Sequence, residues 1–278
     1  MMMATLIAED GVGLYAESHG EGLPVIFSNG LCTTCENFRP QVEAFVDAGA
    51  QLILWDYRGH GRSDSPKDPA AYAFDRVLDD LGRVLDWAAP GERAVLGGIS
   101  FGGLASLHFA NRNPERVRGL ILVATGPGFK NPDAQARWSE MTEKSAARIE
   151  DEGPSAFVKG RAGPSLIGLR PDLPAARAAA DAIARQDRVG LVHFQRRIAA
   201  SVPSIIDELS GIECPALVSV GEKDDAFLRA ADVMAARLPR AERETIPGAG
   251  HMVNIDESEA FNAIALRFIA GLRAESAD

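Results

Sequence analysis

The sharpest chemical signal in the chain is a serine among glycines, Gly98-Ile99-Ser100-Phe101-Gly102-Gly103. It fits G-x-S-x-G and lies between a strand-like run and a helix-like run, the context this motif requires. Each residue has a steric or electrostatic reason. A sharp strand-to-helix turn strains the backbone at Ser100 and pushes its hydroxyl outward. Gly98 and Gly102 stand where a Cβ would collide with the turn, and Gly103 lets the helix approach the sheet. The helix amino terminus directs backbone N–H groups at negative charge that develops beside the serine.

A serine hydroxyl is a weak nucleophile and needs a general base that a carboxylate orients. The chain has five histidines. His19 falls in a polar stretch after a hairpin, His108 inside the helix that follows Ser100, and His193 in a helical segment. His60, in Arg58-Gly59-His60-Gly61, follows a strand and could line the edge of a site. His251 follows Pro247-Gly248-Ala249-Gly250, a loop after the last strand, and precedes Met252 and the final helix. A loop at the carboxyl edge of a sheet is where a base can reach Ser100, so His251 is the candidate. The carboxylate belongs at a strand end too. Gly221-Glu222-Lys223-Asp224-Asp225 follows the strand Pro215–Val220, and both aspartates qualify. The Gly221-x-x-Asp224 spacing favours Asp224, with Asp225 as the alternative, and the chain order becomes Ser, Asp, His.

An acyl-transfer transition state carries an oxyanion that needs two N–H donors. The backbone N–H of Phe101 is one. The other belongs to the loop after Pro24–Ser28, where Leu31 is the candidate and Cys32 has the next claim. Cys32-Thr33-Thr34-Cys35 has C-x-x-C spacing, but redox or metal chemistry there needs a thioredoxin-like context or two further ligands. Neither is evident, so Cys32 and Cys35 read as small residues lining that loop. No G-x-G-x-x-G, P-loop or H-E-x-x-H pattern occurs, and no metal or organic cofactor is expected.

The elements that must hold these residues alternate. Thr5–Ala8 and Gly13–Glu17 flank an Asp-Gly turn and read as a hairpin. Strand-like runs follow at Pro24–Ser28, Gln51–Trp55, Arg93–Gly97 and Val117–Ala124, with helical stretches at Glu36–Asp47, Phe74–Ala88 and Phe101–Asn113 between them. In Phe74–Ala88, Phe74, Val77, Leu78, Leu81 and Leu85 share one face. Strands apolar on both sides, alternating with helices, imply a mostly parallel α/β sheet covered on both faces. From Gly126 to Asp207 no strong strand occurs, and helical spacing appears at Pro174–Gln186 and Leu191–Ala200. The rhythm resumes with Pro215–Val220, Phe227–Leu238, Arg243–Ile246 and Ser258–Arg273. The simplest reading is an α/β core of residues 1–127 and 207–278, with a helical insertion at 128–206.

The net charge of −10 makes nucleic acid and anionic membrane poor partners. Three cysteines, Cys32, Cys35 and Cys214, do not make an oxidised framework. Met1–Gly20 has no basic start or apolar stretch, and the longest apolar run, Gly119–Ala124, is strand-sized, so a cytoplasmic location is expected.

Taken together, the motifs resemble the α/β-hydrolase superfamily in its cap-bearing serine esterase and lactonase branch. The resemblance rests on Asn29-Gly30-Leu31, Asp56-Tyr57-Arg58-Gly59-His60-Gly61-Arg62-Ser63, Gly98–Gly103, Gly221–Asp224 and Gly248-Ala249-Gly250-His251, in the family's order. It implies an eight-stranded, mostly parallel sheet with helices on both faces and a helical cap inserted after the sixth strand. The family usually has His-Gly where this chain has Asn29-Gly30, and backbone donation to an oxyanion survives that change. The implied activity is hydrolysis of a carboxylic ester or lactone through an acyl-enzyme. The same triad would also serve cleavage of ring-fission diketones at a carbon–carbon bond, or perhydrolase and acyltransferase chemistry. Diketone cleavage would call on cap cations such as Lys159, Arg161, Arg196 or Arg197. A non-catalytic ligand-binding role is the reading from another class, and the presence of all three triad members argues against it. Substrate-facing candidates are Cys32, Met252 and, in the insertion, Trp138, Met141, Phe157, Leu166 and Phe194; an uncharged small-molecule substrate is expected.

Overall fold

The computed structural model describes residues 1–274. β1 (Met2–Ile7) and β2 (Gly13–His19) form the hairpin. β3 (Leu23–Ser28), β4 (Ala50–Trp55), β5 (Ala94–Ile99), β6 (Val117–Val123), β7 (Ala216–Gly221) and β8 (Ala241–Ile246) complete an eight-stranded sheet of order β1-β2-β4-β3-β5-β6-β7-β8. The β1–β2 and β2–β4 pairs are antiparallel, and every other pair is parallel. Alternate side chains of each central strand enter opposite halves of the core. Val25 and Phe27, Leu52 and Leu54, and Ile121 and Val123 join one cluster; Ile26, Ile53 and Trp55, and Leu120 and Leu122 join the other. Both faces are thus covered, which is why these strands read as continuous apolar runs.

The first cluster is closed by α1 (Val42–Asp47), through Phe45, and by the last helix. The stretch expected as one helix over Glu36–Asp47 divides into a 3₁₀ turn, Cys35–Gln41, and α1, because Pro40 removes a backbone donor within it. The second cluster is closed by α2 (Phe74–Ala88) and α3 (Phe101–Arg112). Between β6 and β7 the chain runs through α4 (Pro132–Lys159), α5 (Gly163–Ile167), α6 (Pro174–Ala184) and α7 (Arg188–Arg197). α4 is broken at Gly153, whose φ of 82° places it outside the helical region, and Pro154 starts the second part. After β7 come α8 (Asp225–Arg237), which joins the second cluster, α9 (Val253–Asp256) and α10 (Ser258–Ala274), whose Phe261 and Phe268 join the first. His19 ends β2 rather than lying in a loop; it is buried, with Nε2 3.1 Å from Glu17 Oε1, and this partner offsets the loss of water.

α2 buries the face that its apolar spacing marks, with one polar addition. Val77, Leu78, Leu81 and Leu85 are buried, and so is Asp80. Its carboxylate receives Nε and Nη2 of Arg58, each at 2.7 Å, and Arg58 Nη1 donates at 2.7 Å to Asp10. This buried fork pins the turn after β4 to α2, beneath the site described next. Asp80→Ala should cost about 3–5 kcal/mol of folding free energy, because it strands a desolvated guanidinium. Urea unfolding of the two proteins checks this; a loss under half a unit on that scale would show that Asp10 and solvent suffice.

Candidate active site

The carboxyl edge of the parallel strands gathers the candidate residues, as open α/β sheets do with ligand sites. Ser100 follows β5 with φ 56° and ψ −118°, a conformation rare for a residue with a side chain. Its N–H donates to Val123 O at 2.9 Å, and its carbonyl accepts from the N–H groups of Gly103 and Leu104. Thr125 Oγ1 donates to the same carbonyl at 2.5 Å. The flanking glycines are required by close approach. A Cβ on Gly98 would collide with the Gly102 carbonyl group, and one on Gly102 would enter the Ser28 carbonyl.

Asp224 follows β7 and is buried; His251 lies in the loop after β8 and is largely shielded. His251 Nδ1 and Asp224 Oδ2 are 2.8 Å apart. The bond fixes the ring orientation and leaves Nε2 as the free nitrogen. Phe227 of α8 lies against the imidazole with ring centroids 4.8 Å apart. Asp225 begins α8 and is exposed, so the carboxylate beside the imidazole is Asp224. Among the described residues Ser100 Oγ makes no hydrogen bond.

The loop after β3 runs beside the serine, and a Cβ on Gly30 would lie 3.6 Å from Ser100 Cβ. Asn29 is fully buried; its Nδ2 donates to Trp55 O at 2.6 Å, and its carbonyl accepts from Tyr57 Oη at 2.9 Å. The Cys32 N–H is committed to His60 Nε2 at 3.2 Å. That removes Cys32 as a free donor. Among the described residues, no hydrogen-bond partner is found for the N–H groups of Leu31 and Phe101. His60 is buried and its Nδ1 lies 3.4 Å from Arg58 O. Burial pushes its pKa down to about 4, so the ring is neutral, with Nδ1 carrying the proton and Nε2 accepting. Burial also pushes the Cys32 thiol up to about 12 and Cys35 well above the ordinary range. Both thiols stay protonated, and a protonated thiol is neither a nucleophile nor a metal ligand.

The substrate-facing candidates divide. Met252, Phe157, Leu166 and Cys32 are buried in the first core cluster. Phe194 is also fully buried, its ring centroid 5.4, 4.5 and 5.2 Å from those of Tyr57, His60 and Phe101. Trp138 is half-buried, its indole N–H donates to Ala199 O at 2.8 Å, and its ring lies 5.8 Å from that of Phe129. Met141, Phe129 and Leu169 are exposed, and Leu169 packs against Gly250. Two contributions were not foreseen. Phe227 is a plain helix residue in the sequence. Buried Asp256 accepts the N–H of Gly250 at 2.9 Å and of Leu169 at 2.7 Å, fastening the histidine loop to the inserted segment. Its only sequence signal is a carboxylate closing the apolar stretch after His251.

Comparison with known proteins defines the class. The model of the alpha/beta hydrolase fold family matches residues 24–258. The chain belongs to that family. It is 32% identical to "Putative carbamate hydrolase RutD" of Caulobacter sp. (strain K31), over 93% of this chain and 96% of that one. The thermophilic esterase of Thermogutta terrifontis superposes with a TM-score of 0.85 at 25% identity, covering 98% of this chain and 99% of that one. The enol-lactonase of Burkholderia xenovorans LB400 does so with a TM-score of 0.81 at 25% identity, covering 97% and 100%. These likenesses support a hydrolase of small molecules. No helix among the described residues is long and apolar enough to cross a membrane.

The geometry ranks the two aspartates. Asp224→Asn should lower kcat by about 10⁴, because an amide favours the wrong imidazole tautomer and cannot stabilise the imidazolium. Asp225→Asn should leave the rate near that of the unaltered protein. Steady-state assays of both variants decide it; a reversed order would move the role to Asp225.

Proposed function

We propose that the chain is a serine hydrolase of uncharged carboxylic esters or lactones. The observation that carries the reading is the 2.8 Å pairing of His251 with Asp224 at the strand edge where Ser100 stands on its strained turn. Ser100 Oγ attacks the substrate carbonyl carbon while His251 Nε2 takes its proton. The N–H groups of Leu31 and Phe101 hold the resulting oxyanion, aided by the amino terminus of α3. Collapse expels the alcohol, which leaves with the proton from His251. Water, deprotonated by the same nitrogen, then attacks the acyl-enzyme and releases the acid and Ser100. In a lactone, the alcohol and acid remain one molecule. The carbamate named for the relative from Caulobacter has a carbonyl open to the same attack.

The helices between β6 and β7, residues 128–206, serve in this reading as a cap that excludes water and supplies apolar walls. Phe129, Trp138, Met141 and Leu169 offer the accessible apolar surface there. An acidic diketone finds no comparable welcome. Lys159, Arg161 and Arg197 are exposed, and Arg196 is held by Glu143 and Glu150 of α4. The pairing of Arg196 with Glu143 and Glu150 is the ground that favours the uncharged ester over the carbon–carbon substrate.

Ser100→Ala should abolish hydrolysis of a chromogenic ester, with a loss of about 10⁶ in kcat, while the melting temperature holds. Turnover surviving in the folded variant would refute the acyl-enzyme. Trp138→Ala should reorder kcat/KM among acyl chain lengths by roughly ten- to 200-fold, the range one lost methylene contact gives. An unchanged ranking across an ester series would place the acyl chain elsewhere.

A further inference from the structure

The loop that carries Leu31 is gripped from two sides. Cys32, the next residue, is held at φ 62°, in the left-handed region that favours glycine. Its N–H is held from the core by His60 Nε2 at 3.2 Å. Its carbonyl is held from the inserted segment: Gln186, between α6 and α7, donates from Nε2 to Cys32 O at 2.7 Å. The same amide accepts the Gly61 N–H through Oε1 at 3.0 Å. The two bonds fix the amide orientation, since only nitrogen can donate to a carbonyl and only oxygen can accept an N–H. Gln186 is buried, so neither bond competes freely with water. Thr33 closes the loop from within, its N–H and Oγ1 both donating to Gly30 O, at 3.3 and 3.0 Å. The Asn29 and Gly30 carbonyls and both the N–H and the carbonyl of Cys32 are therefore committed around the Leu31 N–H, and Gln186 ties Cys32 directly to the inserted segment; Asn37, which accepts the Thr34 N–H and donates to Leu166 O, makes a second tie further along.

We infer that Gln186 is a positioning residue for the oxyanion site: it couples the seating of the inserted helices to the aim of the Leu31 N–H. The inference rests on the acyl-transfer reading above. A left-handed Cys32 is disfavoured by its own side chain and persists because its surroundings over-determine it. With the amide seated, the Cys32 carbonyl is fixed and the Leu31 N–H points beside Ser100. With the inserted segment displaced, Cys32 O loses its donor, the backbone relaxes, and the donor for the oxyanion swings away. The hydrolytic site is then complete only when the helices that enclose the substrate are in place, and a displaced cap leaves Ser100 with one oxyanion donor.

The test uses Gln186→Met, which keeps the length and removes both hydrogen bonds, and Gln186→Glu, which keeps the acceptor for Gly61 and removes the donor to Cys32. Active sites are titrated with a p-nitrophenyl alkylphosphonate. Turnover of p-nitrophenyl butyrate and inhibition by phenylboronic acid are then measured per titrated site. Acylation and deacylation both pass through an oxyanion, so kcat should fall by about ten- to a hundredfold while KM stays within about twofold, a smaller loss than the roughly 10²–10³ of deleting a donor outright. Boronate affinity should weaken by the same factor as kcat, because its adduct places an oxygen in the same site. Gln186→Glu should show the same pattern, which assigns the effect to Cys32 rather than to Gly61. A purely structural role would instead lower the number of titratable sites and leave kcat per site unchanged, and that result overturns the inference. So does a rise in KM at constant kcat. If Gln186→Met yields no folded protein, Gln186→Glu decides alone by the same two criteria. An unaltered protein that neither turns over the ester nor captures the phosphonate overturns the acyl-transfer reading and this inference with it. Normal behaviour of the unaltered protein beside normal variants overturns the inference alone.

Discussion

One backbone conformation governs the molecule: Ser100 at φ 56° and ψ −118°. A residue with a side chain in such a region costs about 1–3 kcal/mol and persists only when its surroundings over-determine it. Here they do. The parallel pairing of β5 with β3 and β6 sets the strand end, and Ser100 N–H is taken by Val123 O of β6. The Ser100 carbonyl is held by the first turn of α3 and by Thr125. Gly98 and Gly102 remove the two Cβ atoms that would force the turn open. On the proposed acyl-transfer reading the strain would serve the chemistry, because it sets Ser100 at the strand end directly before the amino terminus of α3.

A second constraint follows from the parallel sheet. Each parallel connection leaves the carboxyl edge as a loop, and neighbouring loops share no backbone ladder. Their N–H and C=O groups still need partners when buried. Buried side chains supply them. Asp56 accepts the Cys35 and Arg62 N–H groups, at 2.7 and 3.0 Å, and so ties the loop after β3 to the turn after β4. Asp256 does the same between the histidine loop and Leu169. Burial raises the pKa of Asp56, and its two N–H donors work against that shift. The rigidity of these loops therefore comes from carboxyl side chains committed to backbone partners.

What the sequence made legible follows from where each signal resides. The strands were readable because both faces of the sheet are buried, and α2 because a single face is. Ser100 and the Asp224 spacing were readable because the chemistry sets residues within six positions of one another. Other features have no local signature. The partner of His60 is a backbone N–H 28 residues away, and Asp256 reaches back 87 residues to Leu169. A buried hydrogen bond between a side chain and a distant peptide leaves the same letters as a solvated polar residue. His19 shows the converse error: polar neighbours suggested a loop, while Glu17 made burial possible. The C-x-x-C spacing carries no chemistry of its own, since what matters at Cys32 is its backbone, with the thiol inert.

The inserted helices divide their apolar residues between the buried core and the accessible surface. Phe194 of α7 packs against Tyr57, His60 and Phe101, so it supports the ring that holds the Cys32 N–H and the residue after Ser100. A change there alters the foundation of the site before it alters any substrate contact, and truncating a fully buried phenylalanine costs about 3–5 kcal/mol. Trp138 and Met141 on α4 and Leu169 after α5 are only partly enclosed. They are free to change shape without emptying a core. On the proposed acyl-transfer reading, α4 and the segment near Leu169 are where substrate selection would fall, whereas α7 is constrained by the fold it completes.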